Sequence, residues 1–112
     1  MKRYSLSHLA NDVLLHDLAA HLVHERSRAA DVLAHLAEVD RRELHLPLGY
    51  PSMYAYCVGA LHLSEDSTWK RLQAARAARR CPGVFVALAE GRLHLSAVVL
   101  LAPHLSPENA DD

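Results

Sequence analysis

Nine histidines in a chain of 112 residues make metal binding the first chemistry to weigh. His21 and His24, three apart beside Glu25, or His35 with Glu38, would put two ligands on one turn of a helix. Neither pair fits His-Glu-x-x-His, and no third ligand follows at a matching interval. No metal site is expected; the histidines read as solvated or partly packed groups. Serine, histidine and aspartate are all present, yet no serine sits in a Gly-x-Ser-x-Gly elbow and the four glycines are isolated. Neither a hydrolase triad nor a phosphate loop emerges. The acidic pairs Glu65-Asp66 and Asp111-Asp112 suit a helix start and a frayed chain end. Cys57 and Cys81 lack any Cys-x-x-Cys spacing and read as buried free thiols. No catalytic residue and no cofactor is expected.

What remains is charge in an ordered setting. Between Leu61 and Arg80, Ser64 is an N-cap candidate, Glu65 and Asp66 suit a helix N-terminus, and Lys70, Arg71, Arg76, Arg79 and Arg80 follow. At 100° per residue, Thr68, Leu72 and Ala75 fall on one side of that helix, and Lys70, Gln73, Ala77 and Arg80 on the other. Long donors interleaved with alanine form a face able to lie close to a DNA groove. The same residues also suit a solvated surface helix. Trp69 flanks that face, as a stacking group or as a core or interface anchor.

The elements that must position this face are helical. The hydrophobic fraction is 51% and aromatics are only 5%, with alanine and leucine dominant, which favours helix-on-helix packing. The fold predicted is all-α: a long N-terminal helix, as coiled coil or hairpin, in residues 1–46, then a helix-turn-helix-like bundle of short helices in 47–112. No proline or glycine interrupts the chain before Pro47, and with Ser7 as cap a helix would run from about His8 to about Glu43. Leu15, Leu18, Leu22, Ala29, Val32, Leu36 and Val39 keep spacings of three, four or seven, a coiled-coil-like seam. A helix of ~36 residues spans ~54 Å, too long for the remaining chain to bury. Pairing with a second copy is favoured over a hairpin near 26–28, because no turn-forming residue marks one. A single amphipathic helix packed partly on its own domain is the alternative.

Pro47, Gly49 and Pro51 end that segment. Ser52 would cap a helix from Met53 to about Leu61; Pro82 would open Val84 to Glu90, closed by Gly91; Ser96 would start Ala97 to about Ala102. His62-Leu63-Ser64, His94-Leu95-Ser96 and His104-Leu105-Ser106 each precede an expected helix start as a staple and cap. Ser106-Pro107-Glu108 also opens a helix, with few residues after it, so the front of a longer protein or a shortened product is expected.

Net charge is −1, so the whole chain has no nucleic-acid signature, but residues 64–92 hold six Lys or Arg against three Asp or Glu. That local excess supports weak, salt-sensitive phosphate binding. No apolar run approaches the ~20 residues needed to cross a bilayer. A cytoplasmic protein with no membrane partner is expected.

Leu33 to Asp40, Gly49-Tyr50, Tyr54 to Cys57, Leu63-Ser64-Glu65, Arg71 to Arg79, Glu90 to Ser96 and Leu100 to Leu105 together resemble the helical N-terminal region that precedes the HNH nuclease module of many bacterial HNH endonuclease proteins. The resemblance spans nearly the whole chain. It implies a C-terminal nuclease module beyond Asp112 in a full-length protein; His104 and Asn109 have no such context, and nuclease activity is not carried over. Leu63-Ser64, Leu72, Ala75, Pro82 and Glu90-Gly91-Arg92-Leu93 are similar, more faintly, to the helix-turn-helix of ParB-type partition proteins. Val58 stands where alanine is usual, and His62 where the turn prefers glycine. That likeness implies Lys70, Gln73 and Arg76 near base edges, and Arg79, Arg80 and Arg92 near phosphates; Arg71 completes the candidate DNA-binding set. The leading expectation is a non-catalytic DNA-binding or DNA-targeting region, homodimeric through residues 8 to 43, with double-stranded DNA as partner. The alternative is a protein-interaction or dimerisation module without DNA binding.

Overall fold

A computed structural model describes residues 4–105; the expected helix start at Ser106-Pro107-Glu108, Asn109 and the Asp111-Asp112 pair lie outside them. The chain is all-α: α1 is Asn11–Arg42, α2 Met53–Gly59, α3 Glu65–Arg80, α4 Gly83–Ala89 and α5 Leu95–Leu101, followed by a 3-10 turn at Ala102–His104. No strand occurs among the described residues.

α1 runs unbroken through residues 26–28, so no hairpin forms there. Its 32 residues, at 1.5 Å each, give ~48 Å, matching the 49 Å long axis of the molecule. It starts at Asn11 rather than His8, because Ala10 and not Ser7 stands at the N-cap and no side chain caps it. It ends where Glu43 turns left-handed at φ 54°. The Glu43 and Leu44 amides then close back on the carbonyls of Asp40 and Val39.

α3 is the centre of the body, and α1, α2, α4 and α5 all pack on it. Its alanines explain this: Ala74, Ala75, Ala77 and Ala78 are buried along with Thr68 and Leu72, and side chains this small let several helices approach one axis closely. Leu33, Leu36 and Ala37 of α1, Met53 and Cys57 of α2, Val84 and Leu88 of α4 and Val98 of α5 complete one core. The break between α1 and α2 therefore interrupts the helix but not the packing, since Ala30, Leu33, Leu36 and Ala37 of α1 belong to the same core as the bundle. Both cysteines are buried and free, and burial raises the Cys57 thiol above its usual range.

Two of the expected caps form. Ser52 Oγ accepts from the Ala55 amide at 3.0 Å, and Ser64 Oγ from the Ser67 amide at 3.1 Å. Ser96 does not cap: α5 begins at Leu95 with His94 at the N-cap, so the second His-Leu-Ser tripeptide enters the helix instead of preceding it. Pro82 likewise takes the N-cap of α4 and not its first turn. Gly91, at φ +79°, closes α4 as expected, with the Gly91 and Arg92 amides bonded back to Leu88 and Ala87.

Candidate nucleic-acid interface

The α2–α3 corner is built by local chemistry. α2 stops at Gly59, the chain reverses through His62 at φ 58°, and Ser64 caps α3. His62 thus takes the left-handed conformation that the turn demands, at some strain for a residue carrying a Cβ. A seven-residue helix, a short turn and a sixteen-residue helix result.

Packing on several sides leaves α3 a narrower outward arc than its sequence pattern implies. Thr68, Leu72 and Ala75 face inward, but Ala77, expected outward, is fully buried. The outward arc is centred on Trp69, Gln73, Arg76 and Arg80, with Lys70 at one edge. Arg71 lies about 100° beyond Lys70, on the side turned toward α1, and lines a cavity there instead of joining the arc. Trp69 is half exposed and shares a shallow groove with Tyr54, Gln73 and Arg76.

Most of the candidate cations already have intramolecular partners. Lys70 Nζ is 3.1 Å from Asp66 Oδ2, Arg92 Nη2 is 2.7 Å from Glu90 Oε1, and Arg76 Nε is 3.0 Å from Asp40 Oδ2 on α1. Arg80 Nη2 donates to the Ala102 carbonyl at 3.1 Å in a partly buried contact. Arg79 is exposed and makes no side-chain hydrogen bond or ion pair with the described residues. The pairs are unequal: both members of Lys70–Asp66 and Arg92–Glu90 are open to water, whereas the Asp40 side chain is only 17% exposed. Arg79, Lys70 and Arg92 are therefore the freest to meet another anion, Arg76 less so, and Arg80 least.

The candidate seam on α1 divides. Leu15, Leu18, Leu22 and Ala29 are exposed, and Leu15 reaches 67%. Val32 and Val39 line a groove of about 490 Å³ shared with Tyr56 and Leu61 of the body, and Leu36 is buried in the core. Val13, Leu14 and Val23 add to the exposed apolar surface of the first half. At the other end of α1, hydrogen bonds from the guanidinium groups of Arg41 and then Arg42 lower the Glu38 carboxyl from 4.5 to about 2.

No group of three or more metal-binding side chains comes together among the described residues, and none of their helices is long and apolar enough to cross a membrane. No family model, no curated protein and no solved structure matches this chain.

Reasoning from sequence missed Arg26, and it read Gly91 as a cap but not as the neighbour of Arg26. Arg26 Nε is buried without a partner, against Gly91 and in the same cavity as Arg71. Only the turn signal at Gly91 was readable; nothing in the α1 pattern marks Arg26.

Proposed function

We propose that this chain is a non-catalytic, all-helical DNA-targeting region of the kind that precedes an HNH nuclease module, acting on double-stranded DNA as a homodimer joined through α1. The α2–α3 corner carries this reading: a short helix, a turn through left-handed His62, and a capped longer helix with Gln73, Arg76 and Trp69 outward. In such corners the second helix enters the major groove.

Charge decides which part of α3 would make contact. Glu65 and Asp66 would repel phosphates from the first turn, so contact falls to the residues from Lys70 onward. Gln73 is the base-edge candidate, since its amide can pair bidentately with adenine. Lys70, Arg79 and Arg92 would bind phosphates, with Arg76 and Arg80 behind them. Trading an exposed ion pair for a phosphate costs little, because such pairs contribute about 0–1 kcal/mol. One chain has a modest basic excess; two copies double it, which is why dimerisation and DNA binding belong together. Any strand cleavage would come from a nuclease module of a longer protein.

Retardation of duplex DNA at two salt concentrations tests this. Binding should weaken with salt and be lost in Lys70→Glu/Arg79→Glu, a pair chosen because neither residue holds the core together. Each phosphate contact removed should lower the salt slope by roughly 0.9.

The exposed stripe on α1 also favours a second reading, a protein-interaction module in which the basic helix is only solvated. The existing partners of Lys70, Arg76, Arg80 and Arg92 are consistent with it. A folded dimer that fails to retard DNA at either salt concentration selects that reading.

A further inference from the structure

Where α1 leaves the body, a cavity of about 140 Å³ opens between α1, α3, α4 and the start of α5. Leu33, Leu88, Leu93 and Leu95 wall it, and Arg26 and Arg71 enter it from opposite helices. Its lining is mostly apolar, yet it holds two guanidinium groups and no carboxylate. Arg26 Nε is buried and has no hydrogen-bond partner. The side chain lies close against Gly91, where an added Cβ would meet Arg26 Nε at 3.0 Å.

Two like charges at the rim of an apolar cavity repel each other, and a buried guanidinium donor left unpaired loses its hydration without compensation. An anion between the two guanidinium groups would relieve that repulsion. Inorganic anions would satisfy the charge but leave the leucine wall empty. A cavity of about 150 Å³ lined by apolar side chains accepts a benzene-sized body. We infer that this cavity is a binding site for a small monocarboxylate with a compact apolar body. Its carboxylate is received by Arg26 and Arg71, and its body lies against Leu33, Leu88, Leu93 and Leu95. The ligand bridges α1 to α3 and α4 at the root of the projecting helix. This inference stands apart from the DNA reading, since it uses the side of α3 turned toward α1.

Benzoate is the probe, followed by the amide and methyl resonances of Leu88, Leu93 and Leu95 in the full chain. Saturable shifts at those leucines are expected. Benzyl alcohol, similar in shape without the charge, should bind at least about tenfold more weakly, as loss of charged hydrogen bonds implies. Inorganic phosphate, charged without an apolar body, should also bind more weakly than benzoate. Arg71→Gln and Arg26→Gln should each weaken benzoate about tenfold while their spectra remain those of a folded chain, and Arg28→Leu on the exposed face of α1 should leave it unchanged. The inference is overturned if benzoate gives no saturable shift, if benzyl alcohol or phosphate binds as tightly, or if neither glutamine variant weakens binding.

Discussion

The two halves of α1 carry the same kind of apolar stripe and meet opposite fates. From Ala30 to Arg42, Leu33, Leu36 and Ala37 are sealed into the core against α3 and α4, and Leu33 is 3% exposed. From Asn11 to Ala29, Leu15, Leu18 and Leu22 stand in water, and Leu18 is 56% exposed. Helical periodicity specifies which face is apolar and leaves open what covers it. In the second half the covering is supplied by the alanine-rich α3, in the first by nothing in the same chain's described residues. The packed half nucleates the helix, so the projecting half is extended by propagation alone, with its leucines still in water. In the homodimer proposed above, a second copy would present the same stripe to the projecting half.

Paired truncations test this contrast, and the root should respond most. Leu33→Ala leaves a cavity in the core and should cost about 2–5 kcal/mol in urea unfolding. Leu18→Ala, a chemically identical change, should leave the unfolding of the body within about 0.5 kcal/mol and act only on self-association. Equal losses at the two positions would mean that the halves form one cooperative unit.

Within the body, Thr68 is fully buried and its Oγ1 has no hydrogen-bond partner. Thr68→Val keeps the shape and removes the stranded hydroxyl, so unfolding should become harder by about 1 kcal/mol, with self-association untouched. Smaller again is His62→Gly, which relieves a left-handed residue at the corner before α3. Glycine's greater freedom in the unfolded chain offsets part of that relief, so a net gain of about 0.5 kcal/mol is expected from thermal unfolding, with α3 unchanged in length.

The least effect belongs to Glu38 at the root of α1. Arg41, first, and Arg42 hydrogen-bond its carboxylate and lower it from 4.5 to about 2. A depressed folded value stabilises the fold above the unfolded value, and that contribution fades as pH falls through the folded one. The contribution should thus be complete above about pH 4.5 and disappear toward pH 2. Water screens a pair this exposed, so Glu38→Gln should flatten only that acid limb of an unfolding-against-pH curve and leave neutral pH almost unaltered.

The helical class, the long first helix and the capped start of α3 were legible because each rests on local chemistry: Ser52 and Ser64 cap whatever helix follows them. His62 was legible as the turn's misfit for the same reason. Ser7 and Ser96 misled, because a serine caps only where the helix begins beside it. α1 and α5 begin instead at Asn11 and Leu95, with Ala10 and His94 at their N-caps. Ala77 was assigned outward because a helical wheel assumes one covered side, whereas the small side chains of α3 admit neighbours on more than one. Arg71 moved for that reason too, from the candidate DNA face to the cavity with Arg26. Ion pairs such as Arg76–Asp40 join residues 36 apart, and no periodicity along one helix can announce them.

Sedimentation equilibrium over a range of concentrations tests the contrast between the two halves of α1 most directly. The chain should associate to a dimer, and Leu15→Glu/Leu18→Glu/Leu22→Glu should sediment as a monomer whose body unfolds at the same urea concentration. A chain that stays monomeric throughout, or a triple variant that dimerises as well as the parent, would contradict the assignment of the projecting half as a self-association surface.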